Sequence, residues 1–239
     1  MVEPVVLYAT LAGCACFIGW VVLRYDLIDR EPWYAITFAL LAGALMMYLA
    51  GRVQGRIILT VADHCPRVLG SGFFSVLAGV LEELGKVGAV AMVAACFRRH
   101  FNDPIDGLIY GSFAGLGAAL EESVWLLGAD PGAAGVPWQE PVRLAGHLVM
   151  GGIGGWGLGT LVGPPSPGPI ALPVGLGAAV VLHVAWDVAA FEAVRLGLEN
   201  GRAPAWTTGL AMTVMLTGMV AYRSLVGRGA AMSAARFAA

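Results

Sequence analysis

Several stretches of this chain run for roughly 20 residues with almost no charged side chain, which is long enough to cross a hydrocarbon core about 30 Å thick. Of the 239 residues, 58% are hydrophobic and only 13% are charged. A soluble domain cannot hide that much apolar surface, because its own outside must face water. The sequence therefore predicts an all-α fold, a polytopic integral membrane helical bundle surrounded by the lipid bilayer. The formal net charge of -2 and the absence of a basic run argue against a nucleic-acid partner.

We expect about seven transmembrane helices, forming a single transmembrane domain over residues 1–239. Arg52 and Arg56 are expected to end the second helix, so that the mixed stretch 52–70 lies at the membrane interface. The last residues, 227–239, are expected to form a short tail. The predicted helices lie near residues 4–23, 33–51, 71–97, 104–128, 141–162, 170–198 and 204–226. Polar or proline-rich connectors are predicted at 24–33, 128–141 and 163–169.

A small set of ionisable residues interrupts the apolar stretches. The segment LEELGK (81–86) places two carboxylates and the only lysine of the chain inside an otherwise apolar run. A charge at bilayer depth costs about 2.5–3.5 kcal/mol or more, so such residues are candidates for function by default. The candidates lie on the third to the sixth predicted helix, and they are Glu82, Glu83, Lys86, Glu122, His147, His183 and Asp187.

Helical spacing predicts partners for some of these residues. Glu82 and Lys86 are four residues apart and share a face, so they are expected to pair. Glu83 points about 100° away from Glu82, and it is the acid that we expect to contact a water molecule. His183 and Asp187 are also four apart, and they can hydrogen-bond each other or converge on one ligand.

Stripes of small residues predict where the other two groups point. Glu122 shares a stripe with Gly111 and Gly115, and His147 shares one with Gly151 and Gly155. Polar groups on such stripes face other helices rather than lipid. We therefore expect the carboxylates and imidazoles of four helices to meet in one buried cavity.

Such a cavity supports hydrolysis by either of two routes. Carboxylates that lie close together in a low dielectric are not all ionised, which suits a general acid or base that works on water. The same groups can bind one divalent metal such as zinc, with Glu83, His147 and His183 as the candidate ligands. A bound metal would acidify its water. The chain has no HExxH segment, and the sequence leaves both routes open.

The order of these motifs resembles the PrsW family of membrane proteases, which are distantly similar to the CAAX prenyl protease and Abi group. The motifs that carry the resemblance are EELGK (82–86), DGLIYGSFAGLGAALEES (106–123), HLVMGG (147–152) and LHVAWD (182–187), with YDLIDREPW (25–33) similar to an acidic connector of the family. The resemblance covers most of residues 25–187. Ala118 and Ser123 depart from the phenylalanine and asparagine that are usual in the family at those places.

The resemblance implies an intramembrane endopeptidase that cleaves a membrane protein or peptide near the bilayer, as in site-1 cleavage of a regulatory membrane protein. It implies an integral membrane location, in a bacterial plasma membrane. The implied catalytic set is Glu82, Glu83, Glu122, His147 and His183, with Lys86 and Asp187 in support. In that set the first two carboxylates activate the water, and the two histidines help to bind it or stabilise the oxyanion.

Two other classes of function fit the same residues. Acids and histidines inside a membrane also relay protons or bind cations in transporters, although the chain has no evident internal repeat. A protease-like membrane protein without catalysis is the second alternative, and the departures at Ala118 and Ser123 favour it. Peptide cleavage or transport by the purified protein would distinguish these classes.

Overall fold

The computed structural model describes residues 4–24, 30–129, 139–162 and 170–237. Over these residues the chain consists of helices joined by short connectors and contains no β-strand, which confirms the all-α prediction. Two short 3₁₀ helices, Pro66–Val68 and Arg98–His100, follow the second and third α-helices. The seven α-helices of the described part are α1 (Pro4–Leu23), α2 (Trp33–His64), α3 (Ser71–Cys96), α4 (Pro104–Ala129), α5 (Gln139–Val162), α6 (Ala171–Asn200) and α7 (Ala205–Phe237).

Parts of the predicted connectors lie outside the described residues. These parts are 25–29 within the connector 24–33, 130–138 within the connector 128–141, and the whole turn 163–169.

The predicted end of the second helix near residue 51 is wrong, because α2 continues to His64. Arg52 and Arg56 are exposed on its surface, and arginine is a good helix former when its head is free to reach solvent. The helix ends where Cys65 precedes Pro66, since a residue before proline disfavours helical backbone angles. The stretch 52–64 therefore extends α2 instead of forming a separate interfacial segment.

The predicted tail from residue 227 is also helical as far as Phe237. The segment is rich in alanine, the best helix former, which explains the continuation. Its Ser233 is buried and its hydroxyl donates a hydrogen bond to Asp103 Oδ2. The end of α7 is thereby attached to the residues just before α4.

Four of the described helices are long and apolar enough to cross a membrane: Val5–Leu23, Trp33–His64, Ala171–Glu199 and Ala205–Ala234. The other three, α3 to α5, carry most of the candidate ionisable residues and more of the glycine, while His183 and Asp187 lie on α6. Of these, α4 packs against α1, α2, α3, α5 and α7, and every residue from 104 to 119 is buried. A helix enclosed by protein does not need an apolar surface toward lipid, so the apolar helices surround a more polar centre.

Glycine permits the close approach of α4 and α5. A Cβ atom at Gly111 would lie 2.2 Å from the carbonyl oxygen of Gly151, and one at Gly115 would lie 2.0 Å from that of His147. A Cβ at Gly107 would lie 2.4 Å from the carbonyl oxygen of Gly155. The contacts run in opposite directions along the two helices, which are therefore antiparallel. This packing brings the C-terminal half of α4 beside the N-terminal half of α5, where Glu122 and His147 lie.

We predict that Gly111→Ala destabilises the protein by about 1–3 kcal/mol, because the new methyl group meets backbone that cannot move aside cheaply. Gly128→Ala, on the same helix, is the matched control, since a Cβ there meets nothing within 4 Å. Thermal unfolding in detergent should separate the two variants. Equal melting temperatures would contradict the proposed role of the glycine contact.

Candidate active site

Polar side chains from α3 and α6 meet around the imidazole of His183. Its Nδ1 lies 2.7 Å from Glu83 Oε1, and its Nε2 lies 3.5 Å from Glu82 Oε2. Asp187 Oδ2 is 3.6 Å from the same Nε2 atom. Glu83 and His183 are both fully buried near the middle of their helices, and Glu83 lies about 18–20 Å along the axis from the ends of α3. The sequence predicts that these residues meet, and the structure brings them together.

The predicted pairing of Lys86 with Glu82 is wrong. The ammonium nitrogen of Lys86 lies 2.5 Å from Glu83 Oε1, and both side chains are at most 1% exposed. On a helix surface, residues three apart are neighbours, and so are residues four apart. The spacing alone therefore permits Lys86 to pair with either acid. The same oxygen of Glu83 also contacts His183. The three residues therefore form one buried chain of contacts, from Lys86 through Glu83 to His183.

Glu82 is therefore left without the lysine, and its partner comes from α2. Gln54 donates a hydrogen bond of 3.3 Å from its amide nitrogen to Glu82 Oε1. The other oxygen, Oε2, is buried and has no hydrogen-bond partner among the residues that the structure describes. Gln54 was missed by the sequence analysis because it falls in the stretch 52–70, which was assigned to the interface. Gln54 could be placed beside Glu82 only once α2 was known to continue to His64.

A second group of contacts involves α4 and α5. His147 Nε2 lies 3.3 Å from Glu122 Oε2, and Arg143 Nη1 lies 3.2 Å from Glu122 Oε1. The ring centroids of His147 and His183 are 5.1 Å apart and the rings meet edge to face, so this group adjoins the first. His147 is buried, whereas the side chain of Glu122 is 29% exposed. Glu122 therefore lies on the more open side of the site.

Arg143 was also missed by the sequence analysis. It lies close to the predicted loop, where an arginine is usually solvated, yet its side chain is only 10% exposed. Its Nη2 donates to Ser123 Oγ at 2.7 Å and to Glu140 Oε2. The residue Ser123, one of the departures from the usual family pattern, donates to Glu140 Oε2 at 2.6 Å. Ser123 is therefore part of a buried hydrogen-bond network beside Glu122.

Two residues near the start of α4, Asp106 and Tyr110, belong to a separate cluster. Asp106 Oδ2 accepts hydrogen bonds from the backbone N–H groups of Asn102 and Asp103, at 2.6 and 2.8 Å. The hydroxyl of Tyr110 donates to Glu31. Sixteen residues of helix separate Asp106 from Glu122, a distance of roughly 24 Å, so this cluster is not part of the site.

One ligand atom of each of Glu82, His147 and His183 lies within 4.8 Å of the others, close enough for one metal ion. This set differs from the predicted ligand set, which had Glu83 in place of Glu82. Two of its atoms, Glu82 Oε2 and His147 Nδ1, are buried and find no hydrogen-bond partner in the described part of the chain. Orphaned buried acceptors are costly, and a bound cation is one way of satisfying them. A carboxylate with two imidazoles is also a common donor set for zinc.

Comparison with known proteins agrees with this chemistry. A family model described as PrsW family intramembrane metalloprotease matches residues 31–222. The chain belongs to the PrsW family. No curated protein and no solved structure matches it. Together with the four apolar helices, membership identifies an integral membrane protein of an intramembrane protease family, whose substrates lie in the bilayer.

We predict that Lys86→Met destabilises the protein by about 3–5 kcal/mol, because Glu83 is then a buried charge without its cation. The double variant Lys86→Met/Glu83→Gln should regain much of that loss, since it removes both charges of the pair. Chemical unfolding in detergent provides the measurement.

The matched control is Lys86→Met/Glu82→Gln. It should regain little, because Glu82 pairs with Gln54 rather than with the lysine. If Glu82→Gln recovered the stability lost in Lys86→Met and Glu83→Gln did not, the result would contradict the observed pair and support the pairing of Lys86 with Glu82.

Proposed function

We propose that this protein is a metal-assisted intramembrane endopeptidase in which Glu82, His147 and His183 hold one divalent metal such as zinc. The observation that carries the proposal is the convergence of these three side chains from α3, α5 and α6, with two buried polar atoms among them that have no hydrogen-bond partner in the described residues. Three protein ligands leave one coordination position open, as catalytic zinc sites do. When bound, the metal would polarise the peptide carbonyl and acidify a water molecule.

Glu83 has a different role in this proposal from the one that the sequence suggested. An ionised carboxylate can only accept hydrogen bonds, so His183 donates its Nδ1–H to Glu83 Oε1. That contact leaves the lone pair of Nε2 facing Glu82 and Asp187. A carboxylate behind a metal-binding histidine fixes both its tautomer and its ring orientation. Glu83 therefore orients His183, and Lys86 compensates the charge of Glu83.

Asp187 is the residue that we assign to proton transfer. Its Oδ2 lies on the Nε2 side of His183, and its side chain is 15% exposed, enough for contact with water. It accepts a proton from the water as the oxygen attacks the carbonyl carbon of the peptide bond. It then donates that proton to the departing amine nitrogen as the C–N bond breaks. General base and general acid catalysis by one side chain contributes about 10²–10⁴-fold to a rate.

The membrane setting follows from the arrangement of the helices. We propose that α3, α4 and α5 also cross the bilayer, which gives seven spans with the site near mid-depth. The apolar outer helices α1, α2, α6 and α7 face lipid, and the ionisable residues lie inside. The substrate is then a membrane protein or peptide that is cut near the bilayer, such as a regulatory protein at a first cleavage site, in a bacterial plasma membrane.

We predict that Glu82→Gln and His183→Ala lose both bound zinc and peptidase activity. Asp187→Asn should keep the metal and lose about 10²–10⁴-fold in turnover, because it removes only the proton acceptor. The measurements are metal content of the purified protein and cleavage of a membrane peptide in liposomes.

A chelator followed by added zinc provides the control, since activity should disappear and then return. Cleavage that survives complete removal of metal would contradict metal assistance and favour a water activated by glutamate alone. Cation movement across liposomes without any cleavage would favour the transporter class instead.

A further inference from the structure

We propose that Arg143 is a positioning residue of this site: it orients Glu122, and through Glu122 it orients the imidazole of His147. The inference rests on the proposed function, because it assigns to Arg143 a part in preparing His147 as a ligand. It goes beyond that function by adding a residue from the start of α5 that neither the motifs nor the ligand set contains.

The guanidinium of Arg143 is fixed from two helices. Its Nη2 is held by Glu140, one turn earlier on α5, and by Ser123 Oγ on α4 at 2.7 Å. Ser123 also bonds Glu140 at 2.6 Å, so the three groups close a ring of contacts. With Nη2 held in this way, Nη1 points to Glu122 Oε1 at 3.2 Å. The planar fork of arginine suits this task, because its donors have a fixed relative geometry.

The contact with Arg143 determines where the second oxygen of Glu122 lies. Oε1 faces the arginine, and Oε2 lies 3.3 Å from His147 Nε2. Oε2 is buried and has no hydrogen-bond partner in the described residues, although the rest of the side chain is partly exposed. Without the arginine, a glutamate with 29% exposure would be free to turn toward the open side of the site. Arg143 therefore keeps Oε2 opposite the imidazole.

This position of Oε2 prepares His147 to bind a metal. When Nε2 carries the hydrogen, that hydrogen is on the side of Glu122, and the lone pair is on Nδ1. Nδ1 of His147 is buried, and no described residue forms a hydrogen bond with it. The chain from Arg143 to Glu122 to His147 thus parallels the chain from Lys86 to Glu83 to His183. Each histidine has a carboxylate behind it and a cation behind the carboxylate.

A double-mutant cycle on zinc affinity tests the inference. Arg143→Gln and Glu122→Gln should each weaken binding by about 10–100-fold, the usual effect of removing a partner behind a metal ligand. The double variant should bind no more weakly than Glu122→Gln, because Arg143 acts through Glu122. Arg143→Lys should recover part of the affinity, since it keeps the cation but offers one nitrogen where two are used.

Arg195→Gln is the matched control. Arg195 also pairs with two glutamates, Glu192 and Glu199, but it is 51% exposed and outside the site, so zinc affinity should not change. Wild-type affinity in Arg143→Gln would overturn the inference. Losses that add in the double variant would overturn it too, because they would show that Arg143 acts independently of Glu122.

A measurement on the metal-free protein separates this inference from the proposed function. Nitrogen-15 spectra of the histidine side chains should show His147 as the Nε2–H tautomer in the wild type and as a mixture of tautomers in Arg143→Gln. The same tautomer in both proteins would overturn the inference even where zinc binds. If the wild type binds no zinc but the tautomer changes as expected, the positioning role stands and the metal proposal fails.

Discussion

The ion pair of Lys86 and Glu83 is the interaction on which the rest of the site depends. Both side chains are buried near the middle of a helix, where an unpaired charge would be very costly. The pair allows Glu83 to remain ionised beside His183, and an ionised Glu83 can accept the Nδ1 hydrogen of that imidazole. Without the lysine, the same carboxylate would be an unpaired buried charge beside His183. One cation on α3 therefore prepares a ligand on α6.

Much of this arrangement follows from local sequence patterns. Charge-free stretches determine the apolar outer helices, and stripes of small residues indicate which faces of α4 and α5 approach each other. Glu122 and His147 share those faces with glycines, and the backbone contacts at Gly111 and Gly115 lead directly to their meeting. The grouping of acids and histidines was therefore predictable, because helical period and residue size are both visible in the sequence.

Other features depend on tertiary detail that no local pattern contains. Spacings of three and four both place an acid beside Lys86, and the choice of Glu83 depends on where His183 lies on another helix. Gln54 reaches the site because α2 extends beyond the limit that charge suggested, and Arg143 reaches it because the start of α5 packs against α4. In a membrane protein, an arginine near a helix end is usually solvated, so its burial could be recognised only from the packing of α4 against α5.

The balance of charge provides a last argument for a bound cation. Among the described residues of the site and its network, the acids are Glu82, Glu83, Glu122, Glu140 and Asp187, and the cations are Lys86 and Arg143. Each cation already forms an ion pair with a carboxylate that contacts a histidine: Lys86 with Glu83, and Arg143 with Glu122. Glu82 and Asp187 remain, both directed at the same imidazole nitrogen and neither paired with lysine or arginine among the described contacts. Two such acids in a low dielectric are costly, and a divalent metal held by one of them would neutralise the excess where the chemistry requires positive charge.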